Sequence, residues 1–338
     1  MKKFAAALFA LLFLAALPLA WAWFSLRQPV LQLTTEVDVE IPRGSSTLAI
    51  GKLLESKGLL RSPLEAAAYR LFHPRARYQA GEYVFRKEDN SAAVLAKIAR
   101  GEVFYQEITI PEGYSLFDIA DLLERQGHMS RQAFLAAAQN PSLIRDLAPE
   151  APSLEGYLFP SRYRFPRKIT ARLFCERLTT QFRAVARELG LPSADLHRLV
   201  TLASLVEKES AVPAERPLIA GVYTNRLRLG MKLECDPTVI YAAQLSNHWR
   251  GTIYRSDLDR LHPYNTYRQN GLPPGAIANP GREALLAALR PATTEAIFFV
   301  AEPGGSGKHV FSQTLSDHNR AVAAYRNPPS NNSKAKKP

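Results

Sequence analysis

Apolar residues recur every three or four positions through Ser91–Arg100, Thr170–Leu189, Ala194–Ser210, Pro217–Leu229 and Arg282–Leu289, a spacing that predicts amphipathic helices. Ser193 is expected to cap the third of these, and Gly101 to end the first. A further helix is expected from Asp236, with Asp236 at the cap and Pro237 in the first turn. Shorter β-branched and aromatic runs at Tyr78–Phe85, Ala296–Ala301 and His309–Ser312 predict strands, the last two joined as a hairpin by the glycine turn at Gly304–Gly307. Strands and helices are mixed along the chain without regular alternation, so the predicted class is α+β.

One block of this pattern occurs twice. Val39-Glu-Ile-Pro-Arg-Gly-Ser-Ser-Thr-Leu-Ala-Ile-Gly-Lys-Leu-Leu-Glu-Ser-Lys-Gly58 returns as Ile108-Thr-Ile-Pro-Glu-Gly-Tyr-Ser-Leu-Phe-Asp-Ile-Ala-Asp-Leu-Leu-Glu-Arg-Gln-Gly127. Pro42/Pro111, Gly44/Gly113, Ile50/Ile119, Leu54/Leu123 and Gly58/Gly127 coincide without a gap. Each copy reads as strand, turn, helix and glycine stop, followed by a second helical stretch. This βαα unit resembles the LysM-like modules that bind cell-wall glycans; a duplicated unit that only packs is the alternative.

The N-terminus narrows the compartment. Lys2 and Lys3 precede an uncharged run from Phe4 to Phe24, broken only by Pro18. As a helix it would reach about 31 Å, one hydrocarbon core. Lysines on the near side predict a cytoplasmic N-terminus and an exported body, with Trp21, Trp23 and Phe24 at the outer interface. Ala20-Trp-Ala22 also fits a signal-peptide cleavage site, and both readings export the body.

The expected division is an anchor at 1–27, a duplicated LysM-like region at 28–150, a catalytic domain at 151–326 and a disordered tail at 327–338. The net charge of +12 favours anionic partners, but the basic residues are scattered and no nucleic-acid motif accompanies them. Two cysteines, Cys175 and Cys235, make neither a disulfide framework nor a zinc site and are expected to be buried thiols.

The chemistry points to Leu202–Ser210, the end of a long apolar helix carrying Glu207 and Glu209. At about 100° per residue, Glu207 falls near the middle of the apolar face of Leu196, Leu199, Val200, Ala203 and Val206, and Glu209 near its edge. A carboxyl removed from water is harder to ionise, so either could keep a proton near neutral pH and serve as a general acid. The alternative is a pair of ordinary helix-end carboxylates, with Lys208, Arg216 and Arg226 as ion-pair partners.

Five ordered motifs bear on that choice: Ala203-Ser-Leu-Val-Glu-Lys-Glu209, Asn225-Arg-Leu-Arg-Leu-Gly-Met231, Asp236-Pro-Thr-Val-Ile-Tyr241, Tyr264-Asn-Thr-Tyr267 and Gly271-Leu-Pro-Pro-Gly-Ala-Ile-Ala278. Together they resemble the endolytic murein transglycosylase family (MltG, YceG-like). Ser161, where the pattern expects Asp, and Cys235, where it is usually polar, depart from it. The resemblance implies an inner-membrane, single-pass protein with its body in the periplasm or exported space. It would cleave the MurNAc–GlcNAc β-1,4 bonds of nascent peptidoglycan to leave 1,6-anhydromuramoyl ends, without metal or cofactor.

Family position assigns the acid to Glu209, although wheel geometry alone leans to Glu207, which is then structural or tunes its neighbour. Glu155, Asn225, Thr238 and Asn265 are candidates for polar contacts with the sugars, and Tyr241, Tyr264 and Tyr267 for stacking. Asp236 reads as a helix cap, and His309 and His318 as hydrogen-bonded structural residues. Ser204 and Ser210 lack a serine-hydrolase context. The implied partners are glycan strands, the membrane and peptidoglycan synthases. A hydrolytic muramidase and a noncatalytic wall-binding scaffold for synthases are the rival readings.

Overall fold

The computed structural model describes residues 2–29, 36–85, 90–210 and 212–327. The disordered tail expected from 327 lies, apart from Asn327, outside the described residues. The chain forms two compact units, Met1–Glu107 with Arg164–Lys168, and Ile108–Tyr163 with Ile169–Pro338.

Unit 1 contains α1 (Lys2–Arg27), β1 (Val37–Ile41), α2 (Thr47–Ser56), α3 (Leu64–Phe72), β2 (Gly81–Phe85) and α4 (Ser91–Arg100). β1 and β2 pair antiparallel, with Val39 opposite Tyr83. Val39 and Ile41 alternate inward and bury with Ile50, Leu54, Tyr83, Phe85, Leu95 and Ile98. The helices α2 and α3 cross closely because position 51 is glycine: a Cβ there would lie 2.3 Å from the Pro63 carbonyl oxygen. Asn90 caps α4 and Gly101, at φ +68°, ends it.

The last turns of α1 join this core through buried Ala22 and Leu26, the Trp23 ring meets Phe72 edge-on, and the Ser25 hydroxyl donates to Glu65. Among the described residues no helix is long and apolar enough to cross a membrane. Most side chains in the first half of α1 are outside the described residues, so the span expected over Phe4–Phe24 falls largely there.

The chain passes from unit 1 to unit 2 within β3 (Gln106–Thr109) and returns within β4 (Arg162–Phe165), its pairing partner. Unit 2 carries α5 (Leu116–Arg125), α6 (Arg131–Ala138), α7 (Ala171–Leu189), α8 (Leu196–Glu209), α9 (Arg216–Arg228), α10 (Asp236–Leu245), α11 (Arg255–Asp259) and α12 (Arg282–Leu289). The hairpin of β5 (Phe298–Ala301) and β6 (His309–Ser312) follows, then α13 (Leu315–Arg326). α8 is the axis, packed by α9, α10 and α12. Its residues from Leu199 to Val206 are all buried, the polar Thr201 and Ser204 included. Both hydroxyls are bonded: Thr201 donates to the His197 carbonyl, while Ser204 donates to the Thr201 carbonyl and accepts from the Ile277 N–H.

Three local expectations change. α8 starts at Leu196 after Asp195, not after Ser193, because residues 192–195 turn before helical geometry begins. Cys235 stands at the N-cap of α10, and Asp236 is its first helical residue, where its carboxylate accepts from the Tyr267 hydroxyl at 2.6 Å. The polar segments 255–259 and 315–326 are helical without an apolar stripe long enough to announce them. Cys175 and Cys235 are both buried free thiols.

Candidate active site

The two glutamates at the end of α8 enter different surroundings. The side chain of Glu207 is 5% exposed, and both its oxygens are taken. Oε1 accepts from the Arg216 guanidinium at 2.7 Å and Oε2 from the Gly281 N–H at 2.9 Å. Burial pushes its carboxyl up, and the Gly281 N–H and Arg216 oppose this by favouring the charged form. Arg216, itself buried, also approaches Glu112 at 3.8 Å.

Glu209 has no arginine. Its Oε1 accepts from the Tyr223 hydroxyl of α9 at 3.1 Å, and the Cys235 thiol lies beside it. Burial pushes its carboxyl up. The neighbouring Cys235 thiol, the Tyr223 bond and the His309 ring pull the other way, while Asp236 adds to the rise. Tyr223 and Cys235 are themselves raised well above their ordinary values, first by burial, so both keep their protons as neutral partners. His309 is bonded through Nδ1 to Glu215 at 2.9 Å.

A polar cleft of about 600 Å³ opens beside the end of α8, lined by Glu112, Tyr114, Asp118, Glu207, Lys208 and Ser210 among others. Its far wall is the second repeat copy. The turn Pro111–Gly113 is stitched to the loop before α12: the Gly113 N–H donates to the Asn279 carbonyl at 3.0 Å, and the Asn279 N–H to the Tyr114 carbonyl at 2.9 Å. Lys208 closes the same turn by donating to the Gly113 carbonyl. At Gly281 the Glu112 carboxyl approaches closely, so a Cβ there would require that side chain to swing aside.

Beneath the turn lies fully buried Glu155. It accepts from the Leu116 N–H at 2.8 Å, at the start of α5, and from the Asn279 amide at 2.9 Å. The Tyr241 hydroxyl lies nearby and favours the charged form. Burial, dominating over these donors, pushes its carboxyl up to about 8.

The other residues singled out from the sequence are placed as follows. Tyr241 packs on Phe117 of α5 and on Tyr264, both rings buried. The Asn225 amide donates to the Thr294 and Ala296 carbonyls, anchoring the approach to β5 on α9. Thr238, buried, shares a 2.9 Å bond with Thr266, and Asn265 donates to the carbonyls of Asp257, Leu258 and Arg260. Tyr267, half-buried, reaches Asp236, the neighbour of Cys235. The structure thus brings Glu209 together with Tyr223, Cys235 and the Tyr267–Asp236 pair, and Glu155 with Tyr241 and Tyr264. Asn225 and Asn265 spend their amide hydrogen bonds on backbone carbonyls, and Thr238 on the Cys235 carbonyl and Thr266.

Tyr223, Arg216 and Asn279 were not singled out as site residues. Tyr223 lies within the apolar run of α9, where the spacing reads it as packing, Arg216 is the first residue of that helix, and Asn279 stands in a loop far along the chain. Only Arg216 carried a sequence hint, as a charge available to the glutamates. Among the described residues no cluster of His, Cys, Asp or Glu could hold a metal ion.

Residues 39–324 match the family model of the YceG-like family. The chain is 33% identical over 311 residues to a Bacillus subtilis protein named endolytic murein transglycosylase, covering 86% of this chain and 85% of that one. It is 30% identical over 328 residues to the Streptococcus pneumoniae protein of the same name, of which it spans 58%. A solved YceG-like protein from Listeria monocytogenes superposes with a TM-score of 0.54 at 30% identity, over 85% of this chain and 99% of that one. With a matching model over most of its length, and relatives and a solved structure at this level of identity, the chain belongs to the YceG-like family.

Proposed function

We propose that the protein is a lytic transglycosylase that cuts the MurNAc–GlcNAc β-1,4 bond of peptidoglycan strands, with Glu209 as its acid and then its base. The observation that carries this reading is the contrast at the end of α8. Glu207 has both oxygens committed to Arg216 and Gly281, whereas Glu209 is held only by neutral partners in a buried site that favours its protonated form. In the first step the bond from muramoyl C1 to the bridging oxygen breaks, and that oxygen takes the Glu209 proton. The muramoyl C6 hydroxyl oxygen then bonds to C1 and returns its proton to the Glu209 carboxylate. No water is consumed, the acid is regenerated, and a 1,6-anhydro end results. The names of the bacillus and streptococcal relatives support the same chemistry.

The test is digestion of purified glycan strands, with products weighed by mass spectrometry. A general acid contributes about 10²–10⁴-fold, so Glu209→Gln is expected to lose that much rate and Glu207→Gln considerably less. Anhydro-ended products formed at wild-type rate by Glu209→Gln would remove Glu209 from the role. Products lacking the anhydro ring would make the enzyme a hydrolytic muramidase.

Substrate contacts follow from position. Tyr267, half-buried and joined to Asp236 beside Cys235, is assigned to the sugar. The LysM-like copies are assigned to glycan contact, the second through the cleft it walls.

We also assign α1 to the membrane, which places the enzyme beside the strands as they emerge. Phe13, Leu14, Leu17, Trp21, Trp23 and Phe24 are exposed apolar residues along it, and its last turns are docked in the core of unit 1, which favours retention over cleavage. Full-length protein should stay with membranes washed in alkaline carbonate and keep its N-terminal mass. Release into the supernatant would reject the anchor.

A further inference from the structure

Glu209 must do two opposed things in the reaction proposed above: hold a proton before the bond breaks, and exist as a carboxylate just after. Burial alone serves only the first. Two neutral groups at the carboxyl address the second, and the backbone that delivers one of them is held in an unusual conformation.

Tyr223 is buried on α9, with its ring edge-on to Phe299 at 5.8 Å and its hydroxyl 3.1 Å from Glu209 Oε1. Cys235, fully buried, lies beside both Glu209 and Tyr223. Its backbone is clamped at both ends: the N–H donates to Thr266 Oγ1 at 3.0 Å and the carbonyl accepts from Thr238 Oγ1 at 2.6 Å. The preceding residue, Glu234, has φ +52°, one of two described non-glycine residues in the left-handed region. That conformation is unfavourable for a residue with a Cβ and persists only when its surroundings impose it. Here Arg226 imposes it by donating to the carbonyls of Lys232 and Leu233 and to the Glu234 carboxylate. The Thr266 carbonyl accepts from the Glu234 N–H. An arginine, two threonines and a strained residue together fix the position of one thiol.

We propose that Tyr223 and Cys235 are positioning residues for Glu209, whose hydroxyl and thiol fix its carboxyl and stabilise the carboxylate formed when the proton is given up. This rests on the transglycosylase reading. Because Tyr223 donates to Oε1, the proton of the neutral acid belongs on Oε2, so the pair also selects the oxygen that faces the glycosidic bond. Neutral donors suit the double role better than a cation. A guanidinium such as the one on Glu207 would favour the carboxylate and oppose its reprotonation. The charged groups facing Glu209 from other elements are Asp236 of α10 and His309 of β6, the latter bonded to Glu215. Lys208 and Glu207 flank it on its own helix.

The experiment is the pH–rate profile of glycan cleavage by full-length Tyr223→Phe, Cys235→Ala and Cys235→Ser, with kcat and KM separated. Tyr223→Phe removes one oxygen and keeps the ring. Losing a hydrogen bond to a charged group is expected to lower its kcat by about 10- to 100-fold at unchanged KM. Donors favour the carboxylate, so their loss makes Glu209 harder to ionise, and the alkaline limb should move to higher pH in Tyr223→Phe and Cys235→Ala. Cys235→Ser keeps a donor and should keep both kcat and the limb.

Should Tyr223→Phe not fold, the Cys235 pair decides. An alkaline limb unmoved in the folded variants, with Glu209→Gln inactive, overturns the positioning role alone. Full activity in Glu209→Gln instead overturns the reading beneath it.

Discussion

The turn Pro42–Gly44 leads from β1 into α2, and the turn Pro111–Gly113 leads from β3 into α5, with the same Pro-x-Gly spacing and nearly the same backbone: φ is +80° at Gly44 and +74° at Gly113. Both helices open on a capping serine, Ser46 or Ser115, and bury the matching pairs Ile50 with Leu54 and Ile119 with Leu123. The surroundings differ. A Cβ on Gly44 would meet nothing within 4 Å, whereas one on Gly113 would lie 3.5 Å from Glu207 Cγ. The first copy serves the core of unit 1, and the second is built into unit 2 as a wall of the cleft. A duplicated unit can therefore keep its fold and change its use when new partners form at its turn. Those partners are Lys208, Asn279 and the buried Glu155.

The largest difference between the copies should appear with pH. Burial pushes the carboxyl of Glu155, which accepts from the N–H at the start of α5, from 4.5 up to about 8. A carboxyl whose folded value is raised favours the fold while neutral. Its contribution is fully present below about 4.5 and lost as pH rises through about 8. The change is on the order of 5 kcal/mol over that window. Hydrogen exchange read separately on α5 and α2 peptides should show α5 losing protection as pH rises, once intrinsic exchange is corrected for. Glu155→Gln should flatten the α5 trend. An unchanged slope in that variant would mean that another group titrates.

Next in size are the matched core leucines. Leu54 and Leu123 are both fully buried, so each change to alanine is expected to cost about 3 kcal/mol in denaturant unfolding. The comparison lies in activity measured where both variants remain folded. Leu123→Ala should slow glycan cleavage because α5 carries the cleft wall, and Leu54→Ala should not. Equal losses would show that the first copy also supports the site.

How much of this division was legible in the sequence depends on which residues define it. The repeat, the amphipathic α4 and α7, α8 and the β5–β6 hairpin all announce themselves, because periodicity reports burial of a face. The use of the second copy does not. Its turn reads like the first one, and Asn279, the residue that stitches it in place, stands in the loop before α12. The same limit applies to the glutamates. A helical wheel puts Glu207 inward and is right about burial, with 5% of its side chain exposed. It cannot report that Arg216, the first residue of α9, binds that position while Tyr223, two turns further on, reaches Glu209. Cys235 looked like a departure from the family pattern, and its role depends on a left-handed Glu234 that no propensity predicts.

A smaller effect is expected at the turn glycines. Alanine in the left-handed region costs roughly 1–2 kcal/mol, and neither site is sterically blocked, so Gly44→Ala and Gly113→Ala should destabilise equally in urea. Only Gly113→Ala should also lower kcat, since the Gly113 N–H and carbonyl hold Asn279 and Lys208. A kcat unchanged in Gly113→Ala would detach the turn from the chemistry.

The smallest contrast lies in the caps. Ser46 accepts from the Ala49 N–H, a single bond, so Ser46→Ala is expected to cost about 1 kcal/mol. Ser115 accepts from the Asp118 N–H while the Asp118 carboxylate accepts from the Ser115 N–H and hydroxyl, a reciprocal box at a buried position. The next N–H, that of Leu116, is the one bound by Glu155. Removing the Ser115 hydroxyl therefore loosens the helix end that Glu155 grips. Ser115→Ala should cost about 0.5 kcal/mol more than Ser46→Ala, and combined with Glu155→Gln it should cost less than the two changes added separately. Simple additivity would mean that cap and carboxyl hold α5 independently, and that the second copy is tied to the site by its turn alone.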